Sequence, residues 1–507
     1  MAHVALNQTL HLFNTLGGAV EPVTPADGES LRMYACGPTV YDYGHIGNFR
    51  TFLHVDVLRR RLRQTGVKVR HVMNITDVDD KIIRNAAAAG IEISALTEKF
   101  TKAFLEDMEA LSVERPEELP RATDNIEEMV ALIEQLAKHD IAYQVEDGSW
   151  YFRISRFADY GKLSNKDFEG MEDGARVDLD EYEKDAARDF ALWKAVKPAV
   201  NGVSEHAWQT RIGAGRPGWH IECSAMATKY LGQTFDLHAG GEDLMFPHHD
   251  NEIAQSESAS GKTFARHWMH VRFLLVEGRK MSKSEGNFYT LRDLLLKGYR
   301  ASAIRFLLLS VPYRHQLNFT FDGLVESTNA IDRLRTFAQR MQKGGFEEGL
   351  DEPVAAACEK ARNDYEVALS NDLNTAEARA AIFDLVRAGN TAADHGALKS
   401  ANAREILTVL ARFDEVFAVD VLEGGERDAN TTRTALAWAA HEGRIDVAPE
   451  LAASLSLADE VIEALVAERT QAKKTRNFAR ADAIRNDLLE KGIVLEDSKD
   501  GVRWKRK

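Results

Sequence analysis

Residues 31–48 read LRMYACGPTVYDYGHIGN and decide the fold of the first part of the chain. The first ten of them have the apolar content of a strand that enters a Gly-Pro turn, and apolar residues recur with helical spacing after Gly47. Gly66 can end that helix, and residues 67–76 (VKVRHVMNIT) predict a second strand. Strand, helix and strand in this order form a βαβ unit. We therefore predict a parallel sheet with a binding site at the carboxyl ends of its strands.

The composition is that of a globular protein. The chain has 507 residues, of which 44% are hydrophobic and 28% charged, and at ~150 residues per domain this length suggests about three domains. Its apolar runs are far shorter than the ~18 residues of a membrane span. The first residues lack a basic start followed by an apolar run, and three cysteines are too few for a disulfide framework, so we expect a cytoplasmic protein.

Periodicity and composition divide the chain into six segments. We predict an α/β protein in which a Rossmann-like parallel-sheet catalytic domain with an insertion precedes an α-helical domain and a small C-terminal α+β tail domain. The tail should contain a basic helix, Ala453 to Lys491, and a hairpin that turns at Asp500-Gly501. The segments are residues 1–124 (catalytic domain, first half), 125–201 (insertion), 202–321 (catalytic domain, second half), 322–419 (helical domain), 420–449 (a polar, acidic and loosely packed linker) and 450–507 (tail domain).

Charge is distributed unevenly along the chain. The formal net charge is -15, which argues against general adhesion to polyanions but not against a local basic face. From Ala467 to Lys507 there are 12 Lys and Arg against 7 Asp and Glu, a surplus of five positive charges. Contact with nucleic acid is one interpretation of this tail, and an ordinary solvated surface is the other.

A candidate phosphate site lies where the first predicted helix begins. His45 and Asn48 are three residues apart, on one face of the first helical turn. The free N–H groups and the dipole at a helix amino end attract phosphate. Taken alone, the same residues also fit a turn with a surface histidine.

A second motif, residues 280–287 (KMSKSEGN), combines two lysines and two serines with a glycine. Such a loop can cover a polyphosphate, whose developing charge in a transition state needs cationic partners. By itself it also fits a solvated turn, but its pairing with the His45 motif favours phosphate chemistry. The chain contains no GxxxxGK[ST] string, so the site is not a P-loop.

Four residues form a candidate metal site. In residues 246–252 (FPHHDNE) the proline favours the first helical position, which places His248 and Glu252 one turn apart on one face. Cys223 can supply a thiolate, and Cys36 can supply another from the end of the first strand. Two cysteines, a histidine and a carboxylate make a four-ligand set for Zn²⁺. The alternative is that both cysteines are small buried hydrophobes.

The order of these strings resembles that of the cysteinyl-tRNA synthetases, a family of class I aminoacyl-tRNA synthetases. A His-x-Gly motif with KMSKS indicates only the class, whereas the four metal candidates point to cysteine. The similarity covers nearly the whole chain and is carried by residues 36–48 (CGPTVYDYGHIGN), 74–82 (NITDVDDKI), 218–226 (GWHIECSAM), 238–252 (HAGGEDLMFPHHDNE) and 280–287, followed by the helical domain and the basic tail.

The resemblance implies that L-cysteine and ATP form cysteinyl-adenylate, and that the cysteine then passes to the 3′ end of tRNA(Cys) in translation. It implies one Zn²⁺ per chain and Mg²⁺ with the ATP, although the sequence identifies no Mg²⁺ ligands. The helical domain and the tail would bind the tRNA stem and anticodon, with Trp504 as a stacking plane. The charged neighbours of this tryptophan would contact phosphates; they are Arg503, Lys505, Arg506 and Lys507. We expect a monomer that does not associate with membranes.

The resemblance also assigns site residues. His45 and Asn48 would act near the α-phosphate, and Lys280 and Lys283 on the leaving pyrophosphate. The whole ATP site would comprise Thr39, His45, Gly47, Asn48, Lys280, Met281, Ser282, Lys283 and Ser284. The cysteine pocket would comprise Cys36, Thr76, Trp219 and His238, and the metal ligands would be Cys36, Cys223, His248 and Glu252.

Zinc explains how cysteine could be separated from serine. The two amino acids are nearly the same size, and shape alone separates such pairs by only ~10–200-fold. Zinc binds a thiolate well and a hydroxyl poorly. No editing domain is then required, and the insertion shows no recognisable hydrolytic set.

Two residues depart from the family pattern. Asn48 stands where the class motif has a second histidine, and an amide cannot carry the imidazolium charge. Asp250 stands where we expect a glutamate, but it should point off the ligand face.

Two rival functions remain open at this point. A paralogue could activate cysteine and pass it to an amino-sugar, although it would not need the helical domain and basic tail. The chain could instead be a catalytically silent RNA-binding module, against which the intact His45, Lys283 and metal candidates argue.

Overall fold

The computed structural model describes residues 9–166, 176–177, 189–196, 206–442, 459–475, 477–498 and 501–506. The first half contains β1 (His11–Asn14), β2 (Ala19–Pro22), β3 (Ser30–Ala35), α1 (Ile46–Gln64), β4 (Lys68–Met73), α2 (Asp80–Ala89), α3 (Ile93–Ala110), α4 (Ile126–Lys138), β5 (Ala142–Gln144), β6 (Trp150–Phe152), β7 (Arg176–Val177), β8 (Asp189–Ala195), β9 (Trp208–Thr210), β10 (Gly213–Pro217), α5 (Trp219–Leu231), β11 (Phe235–Gly241), α6 (Asp250–Ser260) and β12 (Ala265–Val271). The second half contains β13 (Leu274–Val276), β14 (Arg279–Lys280), α7 (Leu291–Leu296), α8 (Ala301–Leu308), β15 (Leu317–Phe319), α9 (Phe321–Lys343), α10 (Glu352–Ser370), α11 (Thr375–Asp394), α12 (Ser400–Phe417), α13 (Glu426–His441), α14 (Asp459–Lys474), α15 (Phe478–Glu490), β16 (Ile493–Ser498) and β17 (Gly501–Arg506).

The central sheet confirms the predicted parallel fold. Its strand order is β12-β11-β3-β4, and every neighbouring pair is parallel. The βαβ unit is β3-α1-β4, with the strand ending at Ala35, earlier than Val40, because the chain then turns at Gly37. After β3 the chain adds β4 on one side of the sheet, and after β11 it adds β12 on the other side. The direction in which strands are added therefore reverses between β3 and β11. Open α/β sheets bind ligands at that crevice.

Apolar residues on both faces hold the sheet in place. The strands are buried on both sides: Met33 and Leu237 pack into one core and Tyr34 and Val72 into the other. This is the pattern of a sheet covered by helices. Helix α1 buries Leu53 and Val57 in the core of Met33 and Leu237. The carboxyl ends of β3, β4, β11 and β12 therefore open on one edge of a rigid platform.

The insertion forms a second sheet of order β5-β6-β8-β10-β9, whose neighbouring strands are antiparallel, and the short strand β7 pairs in parallel with β8. It extends to Pro217, beyond the predicted end at 201, because β10 pairs with β8 and β9 pairs with β10. The rings of Phe152 and Phe190 stack at 4.9 Å in its core. Most of the acidic stretch of the insertion, residues 173–189 (DGARVDLDEYEKDAARD), lies outside the described residues.

The helical domain contains α9 to α12, as the periodicity of residues 322–419 predicts, with Phe337, Ile382, Leu410 and Phe413 in its core. The predicted linker is different. Residues 426–441 form helix α13, which contacts α3, α7 and α8. It packs because Ala435, Trp438 and Ala439 make one apolar face toward the main core.

The tail contains two helices, α14 and α15, where one was predicted. Asn477 separates them, since its side chain accepts a hydrogen bond from Arg480 N and caps α15. Strands β16 and β17 form the predicted hairpin, but the ladder closes at Ser498–Gly501, so Gly501 belongs to the strand. Asp500 lies outside the described residues. No described helix has the length and apolar character to cross a membrane.

Candidate active site and metal centre

A cavity of about 830 Å³ opens at the carboxyl edge of the sheet. It lies between the loop after β3, the start of α2, the strand ends of β11 and β12, and the KMSKS loop. Of the residues predicted for ATP, those on its wall are Thr39, His45, Gly47, Asn48, Lys280, Met281 and Lys283. Ser282 and Ser284 do not line it. Their hydroxyls lie 2.9 Å apart and bond to each other.

His45 and Asn48 are joined by a reciprocal cap at the start of α1. His45 Nδ1 accepts from the Asn48 N–H at 3.2 Å, and the Asn48 side-chain oxygen accepts from the His45 N–H at 3.2 Å. Because Nδ1 accepts, the neutral ring carries its proton on Nε2. A side chain at Gly47 would place a Cβ 3.0 Å from the His45 ring, which explains the glycine between them. Asn48 thus orients His45, which a side chain without an amide oxygen would do less well.

Burial and the charge of Lys283 lower the pKa of His45 to about 4. The imidazole is therefore neutral near pH 7 in the protein without nucleotide. A neutral ring with a protonated Nε2 is a hydrogen-bond donor for a phosphate oxygen.

Lys283 bridges the mouth of the cavity. Its Nζ lies 2.6 Å from Asp42 Oδ2, and the lysine side chain is 64% exposed. The ammonium group also lies 5.1 Å from the centre of the Phe288 ring. Asn287 closes the loop, accepting from Ser282 N and donating to Lys280 O. We call His45, Asp42 and Lys283 the nucleotide rim.

Cys36, Cys223, His248 and Glu252 come together below the cavity, as predicted, and we call them the metal cluster. Their ligand atoms all lie within 4.8 Å of one another, and all four side chains are buried. Cys36 follows β3, Cys223 lies on α5, and His248 and Glu252 lie one turn apart where α6 begins. Their placement follows from three elements that converge on the crevice.

The distances within the metal cluster fit a tetrahedral ion. Cys36 Sγ lies 3.9 Å from Cys223 Sγ and 3.6 Å from Glu252 Oε1, and His248 Nε2 lies 3.0 Å from that same oxygen. Two sulfurs bound to one tetrahedral zinc at about 2.3 Å are about 3.8 Å apart. The donor set, two sulfurs with a nitrogen and an oxygen, is one that suits zinc.

The electrostatics of the metal cluster also favour a cation. Burial raises the pKa of Cys36 well above its usual range, and neighbouring Cys223 and Glu252 add to this. The hydrogen bond from Cys36 lowers the pKa of Cys223 to about 6 despite burial. Burial works to raise the pKa of Glu252, but the charges of His238 and His248 outweigh it and hold the pKa at about 2. Anionic groups in a buried site need such compensation, which a divalent ion supplies.

A layer of histidines orients these ligands, and the sequence analysis missed most of it. His238 Nε2 lies 2.9 Å from Glu252 Oε2, which leaves Oε1 facing Cys36 and His248. His220 Nδ1 lies 3.0 Å from His248 Nδ1, which leaves the Nε2 of His248 facing the cluster. Zinc-binding histidines and carboxylates usually have such partners.

A second grouping, Cys36, His238, His249 and Glu252, also lies within 4.8 Å. Here His249 Nε2 approaches Cys36 Sγ at 3.4 Å, and its Nδ1 is bonded to His270 Nε2 at 2.8 Å. The doublet His248-His249 was the one sequence signal for this neighbour, and no local pattern pointed to His270.

The residues predicted for cysteine divide into two groups. Cys36 and Trp219 line the cavity, and the Trp219 ring stacks on His248 at 4.4 Å. Thr76 and His238 lie behind the wall instead. Thr76 donates to Glu222 Oε2 at 2.9 Å, and His238 is engaged with Glu252. Asp250 points away from the metal cluster, as expected, and accepts hydrogen bonds from Leu163 N and Ser164 N.

Trp504 of the tail is half-buried. Its ring packs against the small core of the tail, and its indole donates to Glu463 Oε1 at 2.7 Å. Lys505 lies 2.8 Å from Glu496, Arg503 is exposed, and Lys507 is outside the described residues.

Comparison with known proteins agrees with this geometry. Residues 22–329 match the family "tRNA synthetases class I (C) catalytic domain", residues 364–421 a DALR domain, and residues 457–504 the "Cysteinyl-tRNA ligase anticodon binding domain". Methionyl-tRNA synthetase of Mycobacterium tuberculosis, solved with methionyl-adenylate, has a similar fold, with a TM-score of 0.58 and 17% identity over 80% of this chain and 93% of that one. The fold and the matched domains define a class I aminoacyl-tRNA synthetase.

Full-length relatives narrow the class. The chain is 58% identical to the cysteine–tRNA ligase of Koribacter versatilis (strain Ellin345) over 98% of this chain and 100% of the relative. It is 52% identical to that of Solibacter usitatus (strain Ellin6076) over 98% and 100%. The chain belongs to the cysteine–tRNA ligase family. It is an enzyme that ligates cysteine to tRNA in translation.

Proposed function

We propose that the cavity is where L-cysteine and ATP react to form cysteinyl-adenylate, with the cysteine side chain toward the metal cluster and the triphosphate along the nucleotide rim. The single observation behind this arrangement is that Cys36 of the metal cluster and the residues of the nucleotide rim line one cavity, and that residues 36–48 connect Cys36 to His45. The amino acid and the nucleotide then meet within that loop.

In the first step a carboxylate oxygen of cysteine attacks the α-phosphorus, and the bond to the bridging oxygen breaks as pyrophosphate leaves. No side chain has to form a covalent bond, so the chain acts by positioning and by charge. We assign to His45 a hydrogen bond from Nε2–H to the triphosphate near the α-phosphate, and to Asn48 the orientation of His45. Lys283 exchanges Asp42 for the leaving pyrophosphate, with Lys280 beside it.

We propose that Cys36, Cys223, His248 and Glu252 hold one Zn²⁺. When bound, zinc supplies a soft Lewis acid that accepts a thiolate and not a serine hydroxyl. Trp219 closes the cavity beside His248, while Thr76 and His238 support the wall from behind. In the second step the 3′-terminal ribose hydroxyl of tRNA(Cys) attacks the adenylate carbonyl, and AMP leaves.

We assign binding of the anticodon to the basic tail, whose Lys and Arg side chains would contact the phosphates of the tRNA. We further propose that the enzyme is a cytoplasmic monomer and that Mg²⁺ accompanies ATP. Size-exclusion chromatography with light scattering tests the monomer.

Cysteine-dependent ATP–pyrophosphate exchange, followed by charging of tRNA(Cys), tests the assignment. We expect exchange with cysteine, almost none with serine, loss of exchange in His45→Ala, and exchange slowed by about tens of fold in Lys283→Ala. Normal exchange in both variants would place ATP elsewhere. Exchange followed by transfer of cysteine to an amino-sugar, and not to tRNA, would support the paralogue with that acceptor. Absence of exchange would support a catalytically silent RNA-binding module.

A further inference from the structure

Helix α13 contacts Tyr43, a residue of the wall of the cavity. The indole Nε1 of Trp438 donates a hydrogen bond to the Tyr43 hydroxyl at 3.0 Å. The two rings also meet edge to face, with centroids 5.3 Å apart and an interplanar angle of 79°. Tyr43 lines the cavity, two residues before His45. A residue far along the chain thus contacts the loop that carries the nucleotide rim.

Arg292 completes this contact. Its guanidinium lies 5.2 Å from the centre of the Tyr43 ring and 5.0 Å from that of Trp438. It is held there by Asp107 and Glu106 of α3, each at 2.8 Å. An arginine that is 4% exposed and anchored on one helix cannot move easily, so it gives both rings a fixed surface.

Tyr43 and Arg292, which Trp438 contacts, belong to the two segments that border the proposed triphosphate site. Tyr43 follows Asp42, which binds Lys283. Arg292 follows the KMSKS loop, and the adjoining Tyr289 O accepts from Ile46 N at 3.1 Å. A change in the packing of Tyr43 on Arg292 therefore alters how the start of α1 faces the KMSKS loop.

We propose that Trp438 is a positioning residue for ATP, which holds Tyr43 against Arg292 and so sets the loop of Asp42 and His45 relative to the KMSKS loop. This inference rests on the proposed placement of ATP. Helix α13 lies outside the three segments that match known domains, residues 22–329, 364–421 and 457–504. It nevertheless contacts the loop of Tyr43 and His45, because Trp438 packs against Tyr43 and Arg292.

The test uses the full-length protein in ATP–pyrophosphate exchange. Loss of the hydrogen bond and the aromatic contact in Trp438→Ala should raise the KM for ATP roughly tenfold. The KM for cysteine and the zinc content should stay unchanged, because the metal cluster is not touched. Trp438→Phe keeps the ring edge and loses the donor, so it should raise the KM for ATP about threefold. Leu436→Ala, an apolar truncation on the same helix, should leave it unchanged.

A double-mutant cycle makes the inference decisive even where Trp438→Ala does not fold. If the hydrogen bond carries the effect, Trp438→Phe with Tyr43→Phe should raise the KM no further than Tyr43→Phe alone. Additive effects, or an unchanged KM for ATP in folded Trp438→Ala, would overturn the role of Trp438. If Lys283→Ala also exchanges normally, the placement of ATP is at fault. If Lys283→Ala is slow while Trp438→Ala is normal, only this inference fails.

Discussion

The metal cluster and the nucleotide rim lie on one cavity and are built in opposite ways. Each residue of the metal cluster is buried, and its histidine and carboxylate are each oriented by a further histidine. The rim depends on Lys283, which is 64% exposed and held by one ion pair with Asp42. The proposed roles account for this difference. A site that is to separate cysteine from serine must be rigid before substrate arrives, whereas a lysine that is to follow a departing pyrophosphate must be able to change partner.

The largest effect should come from Cys223→Ser in the metal cluster. A hydroxyl is a poor ligand for zinc, so metal and cysteine selectivity should be lost together. Changes behind a ligand already cost 10–100-fold, so we expect kcat/KM for cysteine to fall by at least about 10²-fold. Elemental analysis and exchange with cysteine and with serine measure both losses.

The matching control is the third cysteine, Cys358, which is buried in the helical domain. Cys358→Ser should keep about one zinc per chain and normal selectivity. Full activity of the wild-type protein in the presence of a chelator, with no zinc bound, would contradict the proposed role of the metal cluster in binding zinc and selecting cysteine.

A smaller effect is expected from Lys283→Ala at the rim. Removal of a buried transition-state donor costs ~10²–10³ in kcat, and for so exposed a lysine we expect only tens of fold. The loss should appear in kcat for exchange, while cysteine binding stays nearly intact, because pyrophosphate charge builds only during the reaction. A raised cysteine Kd with a normal kcat at saturation would contradict the division between rim and cluster.

The sequence predicted both regions because their motifs are local. The His248–Glu252 spacing is one helical turn, and the His45–Asn48 pair is one cap, so short-range geometry sufficed for these two pairs. Cys36 and Cys223 are distant in the chain and were predicted from the chemistry of their thiols. The supporting contacts were beyond its reach, since His220, His249 and His270 meet only once α5, α6 and β12 are packed together. The composition of residues 420–449 predicts a linker because polar residues dominate it, although Trp438 and Ala439 of helix α13 face the core.

Truncation after Pro449 should spare both regions and weaken tRNA charging. It removes the surplus of five positive charges from Ala467 onward and keeps α13 and the whole cavity. Exchange should survive, while the KM for tRNA rises roughly tenfold and its salt dependence becomes shallower, because fewer counterions are released. Equal charging by the two proteins at moderate salt would show that the tail is only a solvated surface.

The smallest expected effect concerns pH and separates the rim from the cluster most finely. The pKa of His45 lies at about 4 because of burial and Lys283, so the imidazole gains its charge only well below pH 5.5. The kcat/KM of the enzyme for ATP reports the pKa values of groups in the free enzyme. It should therefore show no titration of His45 between pH 5.5 and 8. The variant His45→Gln keeps a neutral donor. The ratio of the wild-type kcat/KM for ATP to that of His45→Gln should therefore vary by no more than about twofold across this pH range.

Any pH dependence that comes from the metal cluster is common to both proteins and cancels in that ratio, because thiol ligands must lose protons in each of them. A titrating His45 would not cancel. If the charged imidazolium were the active form with an ordinary pKa near 6.5, the wild type would lose activity relative to His45→Gln as pH rises, by roughly 30-fold from pH 5.5 to 8. A ratio that stays flat assigns His45 the role of a neutral hydrogen-bond donor and leaves Lys283 as the charged partner. A ratio that falls as pH rises would mean that His45 and Lys283 both act as cations. The assignment of different roles to these two residues would then be wrong.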